Sequence, residues 1–170
     1  LKAYGAAFET MGDKKKAIEQ YEKSVPLITD TKEVSEALAN IAYLYSQLGE
    51  YQKSNEIYTK CLETLSQVKL PTIRPAYTYQ YIAENYEKMG DIEAENKARM
   101  RAYDLFAKSR AYISGIPQRL KVCDNYGKAN KREQAIQCYE VCHQMASQYL
   151  GKDHEITKQS KELLDKYQSM

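Results

Sequence analysis

The stretch MGDKKKAIEQYEKS at residues 11–24 returns in altered form as LGEYQKSNEIYTKC at 48–61, MGDIEAENKARMRA at 89–102 and ANKREQAIQCYEVC at 129–142. Aligned on Gly12, Gly49, Gly90 and Asn130, the copies lie 37, 41 and 40 residues apart, a period at which stacked helix pairs are the usual architecture. Glycine, with asparagine next, is what a tight helix-to-helix turn needs where φ must be positive. Each aligned position is therefore a corner.

Apolar residues recur at intervals of three and four before each corner: Leu1, Tyr4, Gly5 and Phe8; Leu38, Ile41, Ala42, Tyr45 and Leu48; Tyr79, Ile82, Ala83, Tyr86 and Met89; Val122, Cys123 and Tyr126. This spacing makes one buried helix face. After the corner a second helix carries a small residue, an aromatic and another small residue at fixed offsets: Ala17, Tyr21 and Ser24; Ser54, Tyr58 and Cys61; Ala135, Tyr139 and Cys142. The third copy departs, with Glu95 in the small position and Arg99 in the aromatic one, so its second helix is expected to be rotated or shifted by one residue. Helices are predicted at 1–11, 14–28, 31–47, 51–68, 72–88, 91–107, 110–128, 131–149 and 154–168, with Asp30 and Glu33 forming a capping-box-like start. Pro117 falls inside the seventh unless that helix begins there.

Composition agrees with an all-α chain. Of 170 residues, 43% are hydrophobic and 28% charged, a balance that supports a packed core. Only seven glycines and four prolines occur, too few for a many-stranded sheet protein. A net charge of +2 supplies no field to draw nucleic acid, and no apolar run is long enough to span a bilayer. The four cysteines, Cys61, Cys123, Cys138 and Cys142, form no disulfide framework, and glycosylation acceptors are missing, so a cytoplasmic, reducing location is expected. The chain starts at Leu1, as a fragment of a longer protein would.

The repeated pattern resembles the tetratricopeptide repeat, whose hairpins carry small residues where their two helices touch and large ones where hairpins stack. Repeats longer than the common unit, together with LGKDH at 150–154, are similar to the long repeats of kinesin light chains; the length also fits Rap-type bacterial regulators. The resemblance implies a right-handed α-solenoid, a superhelix of four stacked hairpins at about 1–30, 31–70, 71–109 and 110–149. A capping helix follows at 150–170, where Ile156, Leu163, Leu164 and Tyr167 share the face that covers the last hairpin.

The same resemblance implies a concave groove lined by first helices: Lys2 and Ala6; Asn40, Tyr43 and Gln47; Tyr77, Gln80, Tyr81 and Glu84; Lys121, Asp124 and Lys128. Rings cover apolar side chains and amides satisfy a peptide backbone, so the expected ligand is a partner protein or peptide segment. One branch of the family grips acidic chaperone tails with a carboxylate clamp. Lys2 and Asn40 fall on two clamp positions, but Ala6, Tyr77 and Tyr81 occupy the rest, which disfavours chaperone tails. Asn40 also resembles a backbone-binding asparagine of the kinesin light chain repeats, where the other copies carry Ala3, Tyr81 and Lys121.

Catalytic chemistry is not expected. The sequence holds no phosphate loop, no His-Glu-x-x-His pair and no nucleophile elbow, and neither cofactor nor metal is implied. Cys138, Cys142 and His143 were the one metal candidate, but residues 142 and 143 point about 100° apart on a helix. Cys123 and Cys142 are instead expected to face one another as small core residues of the fourth hairpin. The function expected is an interaction scaffold or adaptor. The alternatives are an architectural or homo-oligomerisation element, and a regulatory or sensor domain of a larger enzyme or transcription regulator.

Overall fold

The computed structural model describes residues 12–68 and 72–169, and every regular element among them is helical. In chain order these are α1 (Lys14–Ser24), α2 (Thr31–Gln47), α3 (Tyr51–Ser66), α4 (Arg74–Met89), α5 (Ile92–Lys108), α6 (Tyr112–Lys128), α7 (Arg132–Tyr149) and α8 (Glu155–Ser169), with a 3-10 turn at Val25–Leu27. The expected helix at 1–11, with Lys2 and Ala6, lies outside the described residues.

Local chemistry sets the ends. Asp13 and Asp30 accept hydrogen bonds from the backbone N–H of Lys16 (3.2 Å) and Glu33 (2.8 Å), capping α1 and α2. Pro26 lies in the 3-10 turn, so α1 ends earlier than predicted. The corners take the left-handed conformation, with φ of 79° at Gly12, 80° at Gly49, 76° at Gly90 and 57° at Asn130. In three of them the next N–H reaches back to the carbonyl five residues earlier: Glu50 to Tyr45 (3.0 Å), Asp91 to Tyr86 (3.1 Å) and Lys131 to Tyr126 (2.9 Å). Arg110 makes a further such turn, at φ 56° with Ala111 N–H on the Phe106 carbonyl (2.8 Å). Nothing in its residue type announces it.

The chain divides into two compact units, up to Asp91 and from Ile92. In the first, each helix from α1 to α4 packs on the next. Ala17, Ile18, Tyr21, Ile41, Leu44 and Tyr45 form its core. The buried stripe of α3 is Ser54, Tyr58, Cys61 and Leu65, with Leu62 half-buried beside it. In the second unit α5 packs on α6, α6 on α7 and α7 on α8. Its core joins Ile116, Leu120 and Cys123 of α6 to Ala135, Tyr139, Cys142 and Ala146 of α7 and Leu164 of α8.

One expectation needs correction. Glu95 and Arg99 do not rotate α5: both stay on its buried face at 3% exposure, and Arg99 Nε donates to Glu95 Oε1 at 2.6 Å while its Nη1 donates to Gln118 Oε1 at 3.0 Å. Opposite charges one turn apart satisfy each other where a small residue and a ring stand elsewhere. Pro117 lies inside its helix, as the span predicted at 110–128 has it. The α6 helix begins at Tyr112 and runs through it, losing one donor near the start, and a Cβ on Gly115 would stand only 3.0 Å from Phe106 Cβ, so glycine allows α5 its close approach.

Successive hairpins are also tied by an asparagine pair. Asn85 of α4 donates to Asn55 Oδ1 (2.7 Å) and Ser54 Oγ (2.9 Å) of α3 and accepts from Ser46 Oγ of α2 (2.6 Å). In the second unit Asn125 of α6 donates to Asn96 Oδ1 of α5 (2.8 Å). The partners occupy equivalent places in the repeat, five residues before one corner and six after the preceding one.

Candidate functional site

Helical periodicity decides which face of α2 and α4 is left over once the core is filled. On α2, Ile41, Leu44 and Tyr45 turn inward, which leaves Asn40 half-buried and Tyr43 and Gln47 exposed. On α4, Ala76, Ile82, Ala83 and Asn85 are buried, while Tyr77 and Tyr81 reach solvent and Gln80 and Glu84 are half-buried. Tyr43, Tyr77 and Tyr81 retain 43%, 39% and 38% of their accessible surface.

The rings are organised. Tyr81 stacks on the buried Tyr58 ring with centroids 5.7 Å apart and meets the edge of Tyr43 at 6.5 Å, geometries that aromatic quadrupoles favour. Burial pushes the Tyr58 and Tyr81 hydroxyls upward, so both remain neutral donors across the physiological range. Gln80 Nε2 donates to Glu84 Oε1 at 2.9 Å, fixing both on one face of α4.

Beside the stacked rings lies a slot of about 150 Å³. Tyr58, Cys61 and Leu65 of α3 form its floor, Tyr77 and Tyr81 of α4 one wall, and Arg74 its rim. Arg74 Nη2 is held at 2.6 Å by Glu36 Oε1 of α2. Burial raises the Cys61 thiol to about 11, so it lines the slot as a neutral, weakly polar group. The sequence reading missed this slot. Tyr58 and Cys61 carry the core spacing and were assigned only to packing, and Arg74 Nη2 meets Glu36 across 38 residues, which no local pattern reports.

The remaining predicted residues belong to the second unit. Lys121, Asp124 and Lys128 share one face of α6; both lysines are exposed, and the half-buried Asp124 accepts a hydrogen bond from the Tyr139 hydroxyl at 2.5 Å. That carboxylate is thus committed to α7. Raised by burial and by this acidic neighbour, the Tyr139 hydroxyl also stays protonated.

His143 does not approach the cysteines: its Nδ1 lies 3.3 Å from the Thr157 carbonyl and 3.2 Å from Ser160 Oγ, facing α8. Cys123 and Cys142 do face each other, with sulphurs 3.7 Å apart, but the disulfide joins Cys123 to Cys138. Cys138 lies one turn before Cys142 on the same face of α7, so both can reach Cys123.

A tetratricopeptide repeat model matches residues 3–27 and 35–64. Among solved structures, a putative kinesin light chain from Podosopora anserina with nearly identical tetratricopeptide-like repeats aligns over 99% of this chain and 83% of its own, at 13% identity and a TM-score of 0.71. The apo form of RapI aligns over 99% of this chain and 61% of its own, at 12% identity and a TM-score of 0.76. A signal-transduction ATPase from Pyrococcus horikoshii with a tetratricopeptide repeat sensor aligns over 99% of this chain and 26% of its own, at 17% identity and a TM-score of 0.71. At these identities the likeness is one of fold. No curated protein sequence matches the chain.

Proposed function

For a chain that carries tetratricopeptide repeats, and so has the fold of a protein-interaction module, we propose that the α2 and α4 face of the first unit docks a partner peptide. The reading is carried by Tyr43, Tyr77 and Tyr81, large rings kept at the surface beside an apolar slot. Aromatic side chains that are already packed lose little freedom on binding, and such residues dominate interface energies. The slot has room for one aliphatic side chain of leucine or methionine size, the Tyr81 hydroxyl offers a donor beside it, and Asn40 can serve a peptide backbone with both donor and acceptor. Lys121 and Lys128, exposed on α6 of the second unit, are proposed as partner contacts of that unit, where they would favour acidic residues.

Selection from a displayed peptide library on the purified chain supplies a ligand for titration by fluorescence anisotropy. Tyr81→Ala is expected to weaken the selected peptide at least tenfold and Asn40→Ala several-fold, with helicity retained by circular dichroism. Undiminished binding by both folded variants would place the site elsewhere.

A further inference from the structure

Cys123, Cys138 and Cys142 are all buried, with their sulphurs within 4.8 Å of one another. Core packing explains why cysteines are tolerated there, but not the surroundings. A cleft of about 410 Å³ opens onto Cys138 between Arg119 and Tyr126 of α6 and Gln134 and Val141 of α7. At its edge Arg119 lies over the Tyr103 ring, 5.3 Å from its centroid, and its Nε is buried without a hydrogen-bond partner. The same guanidinium opposes the effect of burial, which lifts the Cys142 thiol to about 12. Three sulphurs, a path to one of them and an unsatisfied donor at the entrance are the parts of a site.

Among the described residues no histidine or carboxylate completes the cluster. Zinc in a structural site wants four ligands, and Arg119, a cation, cannot be the fourth. An ion held by three sulphurs at about 2.3 Å needs them about 4 Å apart in a planar arrangement and closer in a pyramidal one, which the reduced side chains reach by small rotations. A trivalent centre bound to three thiolates is neutral overall and leaves no position open, so it avoids the cost of burying net charge.

We propose that reduction of the Cys123–Cys138 disulfide turns Cys123, Cys138 and Cys142 into a capture site for a trivalent thiophilic metalloid, with arsenite the class of ligand it fits. Arsenite arrives as uncharged arsenous acid. Each of three S–H groups replaces one As–OH, forming three As–S bonds and releasing three waters, with no change in oxidation state. The thiol protons leave in the water, so protonated cysteines are competent. Reduction precedes capture: a phosphine accepts oxygen from water and becomes the phosphine oxide as the disulfide takes up two electrons and two protons.

The test uses the whole chain, reduced with a phosphine, freed of it under nitrogen and titrated with sodium arsenite. Native mass spectrometry is expected to show one arsenic per chain, with three thiol protons lost and Cys61 unchanged. Cys138→Ala and Cys142→Ala should each weaken binding at least tenfold. Cys142→Val, which leaves no cavity, guards against a misfolded alanine variant, and the thiols consumed per arsenic in the parent decide the matter if neither folds. Failure to retain arsenic, consumption of only two thiols, full affinity in a folded Cys142 variant, or preferential capture of zinc(II) would each overturn the site.

Discussion

At the scale of single residues, Asn85 carries the stronger of the two asparagine ties. Fully buried, it uses its amide to join α2, α3 and α4, whereas Asn125 donates across to a half-buried partner, Asn96. A buried polar group stripped of its partner costs more than the hydrogen bond itself contributes. Asn85→Leu, alike in branching, leaves Asn55 Oδ1 and Ser46 Oγ facing hydrocarbon and should destabilise the chain by about 2–3 kcal/mol, against about 1 kcal/mol for Asn125→Leu. Urea denaturation of the two variants checks the order, and equal small losses would show that the asparagines are passengers. Such rungs leave a trace in the sequence only after alignment: asparagine recurs at one offset before a corner and another after it, but a single asparagine reads as a surface residue. The positive-φ corners were legible because glycine announces its conformation. Arg110 adopts the same one unannounced.

At the scale of the element, α5 shows how a repeat keeps its register while abandoning its residues. Elsewhere the stripe is small then aromatic, as in Ala17 and Tyr21, Ser54 and Tyr58, or Ala135 and Tyr139. In α5 the same two places hold Glu95 and Arg99, both buried and bonded to each other. Breaking a buried pair from one side strands a charge, so Glu95→Ala is expected to cost about 3–5 kcal/mol. Restoring the pattern with Glu95→Ala and Arg99→Tyr together should recover most of that loss, because well-packed apolar groups often equal a buried ion pair. Thermal melts of the single and double variants decide it; a double variant no better than the single would mean that the pair's other contacts, including Gln118, matter more than its charge balance. Charges at core positions suggested a displaced helix because a polar side chain signals exposure when its partner cannot be seen. Four residues of separation was the available clue, and it supports equally a surface pair.

For the molecule as a whole, period, corner and stripe made the helical repeat legible, since each depends on neighbours within a few residues. The face carrying Asn40, Tyr43, Tyr77 and Tyr81 was legible as the remainder of that pattern. The approach of Cys123 to Cys142 was legible too, as two small residues at one hairpin contact; what escaped was the slot beneath Tyr81, the Arg74–Glu36 pair and the joining of Cys138 to Cys123. Those joins also give both units one chemical weakness. Burial raises the acids Tyr58 and Cys61 in the first unit and Tyr139 and Cys142 in the second, with Cys61 moved from 9.0 to about 11 and Cys142 from 9.0 to about 12. In the unfolded chain these thiols ionise near their ordinary value, whereas in the folded chain they hold their protons. The unfolded state therefore binds fewer protons above about pH 9, and stability falls as pH rises through the interval up to each folded value. Each thiol contributes a slope of about 1.4 kcal/mol per pH unit there. Below pH 9 neither contributes any slope, so denaturation midpoints should be flat from pH 7 to 9 and drop steeply by pH 11. Cys61→Ala should make the decline shallower by one thiol's share, whatever its effect on stability at pH 7. A parent profile that stays level to pH 11 would mean that water reaches these thiols in the folded state.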